Sequence, residues 1–201
     1  MDEQTRLYYA THAPEVADYY DQWPSAIGAY LHLAFAPGAR VLDIGAGSGR
    51  NMAALQALGY DVYGVEPSPE MREQALQRRP ALHGRLLPGQ LPELGKPFGG
   101  AFDGVLCSAV LMHLPPEQLG AAATAIKKVL VDGGALLLSV PRTRPGLDDQ
   151  HRDRHGRLFT PLTTEQLCSL FEPLGFRLLG QWICDDASRA GYSWNTLLFR
   201  L

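Results

Sequence analysis

Four short, mostly apolar runs recur along the chain, at residues 41–44, 62–65, 102–107 and 135–140. Each is too short for a helix and is bounded by turn residues, so each is read as a buried strand. The nearly uninterrupted run at 135–140 suits a central parallel strand covered on both faces. Between the runs the apolar period changes. Met52, Leu55 and Leu58 recur at helical spacing and Gly59 follows as a stop. Ser68 caps a helix opened by Pro69 and running to about residue 79. Leu119, Ala122, Ala123, Ile126, Val129 and Leu130 form one side of a helix over 117–130. A third short strand is expected near 85–87. Residues 88–100 read as a loop, and Asp132-Gly133-Gly134 as a turn. Thr163 with Gln166 makes a capping box, and strands at 176–183 and 196–201 are joined by a hairpin over 184–195.

Alternating strands and helices predict an α/β fold: a Rossmann-like, doubly wound, mostly parallel seven-stranded sheet with one antiparallel edge strand. Residues 5–35 lack strand alternation and read as an N-terminal helical arm. Thr5 or Thr11 caps its first helix, and Pro24 or Ser25 starts a second. The whole chain, 1–201, is expected to be one domain, with the arm at 1–36, a core at 37–140, an Arg-rich loop at 141–162, and a last helix with a strand pair at 163–201.

Composition narrows the class. Hydrophobic residues make up 46% of 201 positions, and the net charge is −3. That balance is ordinary for a globular protein and gives no strong nucleic-acid signal. No apolar run approaches membrane-spanning length, and Met1-Asp2-Glu3-Gln4 is unlike a signal peptide. Three scattered cysteines, Cys107, Cys168 and Cys184, argue against a disulfide framework or a zinc site, so a cytoplasmic location is expected. The sequence carries no signal for oligomeric state.

The candidate chemistry sits after the first strand, in Asp43-Ile44-Gly45-Ala46-Gly47-Ser48-Gly49-Arg50-Asn51. Glycines there let the turn close and a ligand lie against bare backbone, facing the free amides of the following helix. The spacing is G-x-G-x-G, not the G-x-G-x-x-G of dinucleotide sites. Asp43 would repel a pyrophosphate and suits a ligand with a positive charge. Glu66 closes the second strand, where an acid bonds ribose hydroxyls. S-adenosylmethionine fits this set; NAD fits less well.

On these residues, on Gly64-Val65-Glu66-Pro67-Ser68-Pro69-Glu70-Met71, on residues 102–107 and on 130–134, the chain resembles the class I S-adenosylmethionine-dependent methyltransferases. A shorter likeness, over Gly47-Ser48-Gly49-Arg50-Asn51, is to the tellurite/thiopurine-type small-molecule enzymes. The resemblance implies that Gly45, Ala46, Gly47, Gly49 and Asn51 hold the aminoacyl end. Asp43 receives its ammonium or else fixes the turn. Glu66 takes the ribose, with Pro67, Ser68 and Met71 bordering the adenine. Many relatives carry an acid near residues 89–91; here Gly89-Gln90-Leu91 stand there, with Gln90 or backbone groups as a substitute. Ser108 and Ala109 would lie under the sulfonium.

Methyl transfer needs alignment first and a base only when the nucleophile must lose a proton. His113 is the base best placed, against the alternative of a locally bonded loop histidine. Tyr19 and Tyr20 of the arm, Met112, and Arg154 of the loop are candidate acceptor contacts, against packing rings and a solvated charged loop. The loop holds five arginines against three aspartates, so an anionic acceptor is one reading and an exposed segment the other. A metal site at His151 and His155 is weighed and set aside. The expected function is methyl transfer to an O, N or S atom of a small molecule. Alternatives are a protein or RNA methyltransferase, an NAD-binding oxidoreductase, or a cofactor-binding protein without catalysis.

Overall fold

The computed structural model describes residues 1–23 and 25–201. Pro24, one of the two residues expected to start the arm's second helix, lies outside them. The arm comprises α1 (Glu3–Thr11), α2 (Ala13–Gln22), a 3-10 turn (Ala26–Tyr30) and a short α3 (Leu31–Ala34). Its first cap is neither Thr5 nor Thr11. Asp2 accepts the Thr5 amide at 3.0 Å and Thr5 is buried, because the helix begins one turn earlier than the apolar pattern shows. The second helix starts at Ala13 with Pro14 in its first turn, while Ser25 merely precedes the 3-10 turn.

The core follows as β1 (Arg40–Ile44), α4 (Arg50–Ala57), β2 (Asp61–Val65), α5 (Pro69–Arg78), β3 (Leu86–Leu87), β4 (Phe102–Ser108), α6 (Leu119–Val129) and β5 (Leu130–Thr143). Then come α7 (Thr164–Phe171), β6 (Arg177–Asp185) and β7 (Ser193–Arg200). The Ser68 cap and the Thr163–Gln166 capping box form as read. Residues 132–134, read as a turn, instead fall within β5. Gly133 there has φ +76°, and the pairing register with β4 skips between Phe102 and Gly104. A positive φ at glycine lets the chain kink without leaving the sheet.

The sheet order is β3-β2-β1-β4-β5-β7-β6. β7 alone runs against its neighbours, pairing antiparallel with both β5 and β6. The strand running in reverse is therefore one place in from the edge, and β6 closes the sheet. Alternation along β1 feeds two layers. Val41 joins a cluster with Met52, Leu55 and Ala75 on one face, while Leu42 and Ile44 join Ile126, Val129 and Phe171 on the other. The strand order reverses between β1 and β4, and loops at that switch open a crevice above the strands' carboxyl ends. Among the described residues, no helix is long and apolar enough to cross a membrane.

Candidate active site

The crevice holds a cavity of about 780 Å³, within the range of small-molecule sites. Its floor is the exits of β1, β2 and β4. Its outer walls are the arm, the loop after β5 and the β6–β7 turn.

The floor is built by local geometry. Gly45, Gly47 and Gly49 have φ of +73°, +55° and +78°, which a side chain would strain. A Cβ on Gly47 would stand 3.7 Å from both Met71 Cε and Tyr20 Cε2, so this glycine faces the cavity between those two side chains. Gly49 has a different duty from the one expected. It lies off the cavity, and a Cβ there would meet Leu82 Cδ1 at 2.5 Å, so its bareness serves packing of the segment after α5.

Glu66 is only 6% exposed, and its two oxygens accept from Gly47 N and Ser68 N, each at 2.9 Å. Burial pushes its carboxyl up from the usual range, against those two hydrogen bonds. The acid thus ties β2's exit to the glycine turn. Ser68 lies off the cavity wall and works as the α5 cap; Pro67 and Met71 do line it.

Asp43 is 1% exposed and sits behind the cavity wall, which Ile44 and Gly45 line; among the described residues neither carboxylate oxygen has a hydrogen-bond partner. It does not hold the turn together: the Gly45 and Ala46 amides donate to Val65 O instead. Burial, then the nearby Glu66, pushes its carboxyl up to about 8. A buried, unpaired carboxylate is costly unless something outside the protein satisfies it. Arg50, unassigned in the sequence, is half-buried. Its Nη1 donates to Tyr20 O at 3.0 Å and Trp23 O at 2.6 Å, which fastens the arm to the start of α4.

Asn51, Gln90, Leu91, Ser108 and Ala109 all line the cavity. Gln90 bonds Glu93 at 3.3 Å, and Ser108 Oγ pairs with Ser139 Oγ at 3.1 Å. The outer wall carries Tyr19, Tyr20, Met112 and Arg154, together with several residues the sequence did not single out. Tyr19 OH bonds Ser188 of the β6–β7 turn. Asp186 in that turn accepts from Arg189, Ser188 and the Trp194 indole.

His113 is 4% exposed and held from two distant segments. Its Nδ1 lies 2.7 Å from Leu158 O, an acceptor, so Nδ1 carries the proton. That leaves the Nε2 lone pair to accept from Tyr9 OH at 3.2 Å. Burial pushes the imidazole down to about 4, so it is neutral at physiological pH.

The Arg-rich loop is exposed over much of 142–155, as expected, but its end is not. Leu158, Phe159, Thr160 and Leu162 are buried, and Asp153 gathers Arg144 and Arg157 around one carboxylate. Among the described residues, no group of histidines, cysteines and acids is arranged to hold a metal, at His151 and His155 or elsewhere.

A family model described as a methyltransferase domain matches residues 15–181. The ubiquinone biosynthesis O-methyltransferase of Xanthomonas campestris is 33% identical over 113 residues, covering 54% of this chain and 46% of that protein. The chain thus spans less than half the length of that curated relative. The structure of a Burkholderia thailandensis 1,6-didemethyltoxoflavin-N1-methyltransferase, with bound 1,6-didemethyltoxoflavin and S-adenosylhomocysteine, superposes with a TM-score of 0.76 at 23% identity. It covers 98% of this chain and 87% of that one. A TehB-like methyltransferase from Corynebacterium glutamicum gives 0.69 at 18%, covering 94% and 97%. At these identities the superpositions establish the fold.

Proposed function

The chain belongs to the methyltransferase domain family, and from that premise we propose that it moves a methyl group from S-adenosylmethionine to an O, N or S atom of a small molecule. The observation that carries this reading is the buried Asp43 carboxylate, left without a partner beneath a glycine turn open to the cavity. A ligand with a positive charge near that turn displaces the proton that burial holds on Asp43 and gives the carboxylate the partner it lacks. When bound there, S-adenosylmethionine supplies a methyl carbon made electrophilic by its sulfonium.

The chain's own residues do the rest. Gly47 gives bare backbone to the aminoacyl end, and Asp43 meets its ammonium directly or through water. Glu66 keeps a free lone pair on each oxygen for the ribose hydroxyls. Pro67, Met71, Gln90 and Leu91 would enclose the adenine, and Ser108 and Ala109 would border the sulfonium. Tyr19, Tyr20, Met112 and Arg154 contribute to the acceptor side of the cavity. The arm and loop exclude water and align the nucleophile, the main source of rate in an in-line displacement. His113 presents a neutral Nε2 lone pair and takes the acceptor's proton, in the place Tyr9 OH now occupies.

Enclosure by arm, loop and hairpin turn supports a small molecule over a protein or RNA chain. The three thiols are unpaired, in keeping with a cytoplasmic location. Calorimetry with S-adenosylmethionine, S-adenosylhomocysteine and NAD, on the parent chain and on Asp43→Ala and Glu66→Ala, tests the reading. Binding of the first two, lost in both variants, is expected; binding of NAD alone overturns it.

A further inference from the structure

The loop after β5 and the arm build a second polar feature in the same cavity, away from the glycine turn. Asp153 is a single carboxylate that serves two guanidiniums. Its Oδ2 accepts from Arg144 Nη2 at 2.9 Å and from Arg157 Nη2 at 2.7 Å and Nε at 3.0 Å. Its Oδ1 is taken by the amides of His155 and Arg157. All of its acceptor capacity is used, and one positive charge of the two is left over. The side chains of Arg144 and Asp153 are only 9% and 8% exposed, so that surplus sits away from bulk water.

Arg144 also sits over the Phe159 ring, its Cζ 3.5 Å from the centroid, and its Nε is buried with no hydrogen-bond partner among the described residues. Both arginines line the cavity. Three more carboxylates line the outer part of the cavity: Asp186 is saturated by its own partners, and among the described residues neither Glu15 nor Asp185 bonds to Arg144 or Arg157. A buried guanidinium with an unused donor and an unmatched charge is held at a cost unless an anion completes it.

We infer that Arg144 and Arg157 form an anion subsite for the methyl acceptor, and that the acceptor is a planar aromatic carboxylate. The planar fork of a guanidinium matches a carboxylate in two parallel hydrogen bonds. Phe159 and Tyr9 line the cavity beside it. The same Phe159 ring contacts His113 edge-on at 4.9 Å between centroids. A carboxylate anchored at the arginines therefore sets the rest of its ring toward His113 Nε2. This assignment rests on the methyltransferase reading for its meaning, and its test is separable from that reading.

Benzoate and 1-naphthoate are titrated against their neutral amides, calorimetrically, into the full chain saturated with S-adenosylhomocysteine. The carboxylates are expected to bind roughly tenfold or more tightly than the amides. Arg144→Gln and Arg157→Gln should each remove that preference and leave amide binding unchanged; Arg144→Lys should keep part of it. Unchanged affinity for S-adenosylhomocysteine shows that a variant is folded, and the preference of the unaltered chain stands as a test even where a variant is not. Carboxylates that bind no better than their amides, or not at all, overturn the inference while the cofactor reading survives. Failure of S-adenosylhomocysteine to bind overturns the cofactor reading; the carboxylate titration is then run on the free chain and judged by the same preference.

Discussion

The two halves of the cavity are built on opposite plans. The cofactor half is local: Asp43, Gly47 and Glu66 lie within 24 residues of one another, on the exits of two adjacent parallel strands. The acceptor half is assembled from afar. Asp2 pairs with Arg152 at 2.9 Å, the Leu158 amide donates to Thr5 Oγ at 2.9 Å, and Tyr9 reaches His113. Both halves hold a buried group driven toward its neutral form, Asp43 upward and His113 downward. The first is built to bind charge, while the second offers a lone pair. Short-range geometry fixes what kind of cofactor fits, and long-range packing fixes what it reacts with.

The strongest way to break this comparison is at Asp43. Asp43→Ala should weaken S-adenosylmethionine binding by about two orders of magnitude, since a buried charge partner is worth about 3 kcal/mol. Glu66→Ala should do nearly as much, and additionally loosen the glycine turn. A calorimeter reads both, and near-parental affinity in Asp43→Ala would refute its role.

Next comes pH. The Asp43 carboxyl is raised to about 8 from an ordinary 3.8. Between those values the folded, ligand-free chain holds a proton that the unfolded chain has released. Stability should therefore fall as pH rises through that window, by up to about 1.4 kcal/mol per pH unit from this group. Asp43→Asn should flatten the slope and raise the melting temperature at pH 8. Denaturant titrations across the range decide it; an identical slope in the variant would sink the claim.

The acceptor half gives the contrasting result. His113 is already neutral above about pH 4, so kcat should show no histidine inflection between about pH 5 and 8. His113→Asn should lower kcat by roughly 10²-fold with little change in S-adenosylhomocysteine affinity. A rate unchanged by that substitution would remove His113 from the chemistry.

Asp2→Ala sharpens the division at lower amplitude. It removes the α1 cap and the ion pair to Arg152, at a cost of about 1 kcal/mol. Cofactor affinity should stay within a few fold while acceptor KM rises. Smallest of all, Gln90→Ala should change cofactor affinity by less than about threefold, since the side chain is committed only to Glu93.

The same division explains what the sequence disclosed. Strand runs, the Ser68 and Thr163 caps and the glycine turn depend on neighbours in the chain, and they were legible there. Gly49 was assigned to the ligand because its spacing matches Gly45 and Gly47; only the fold shows Leu82 pressed against it. The role of Arg50 as the arm's fastener needed the Tyr20 and Trp23 carbonyls, about 30 residues upstream. The Arg-rich loop read as solvated charge because five arginines and three aspartates have no period. The burial of its end depends on contacts with Thr5 and Asp2, some 150 residues away. The cue that was present was apolar: Leu158, Phe159 and Leu162 have no place in an exposed loop.

The five donors gathered on Asp153 have a thermodynamic consequence. A loop of this length, left free, would lose conformational entropy each time an acceptor docked, on the order of 1 kcal/mol for every residue ordered. Asp153 meets that cost at folding, by knitting residues 144–157 before any acceptor arrives. Acceptor binding should then carry little ordering penalty, so that specificity comes from rigid fit and modest affinity suffices for turnover.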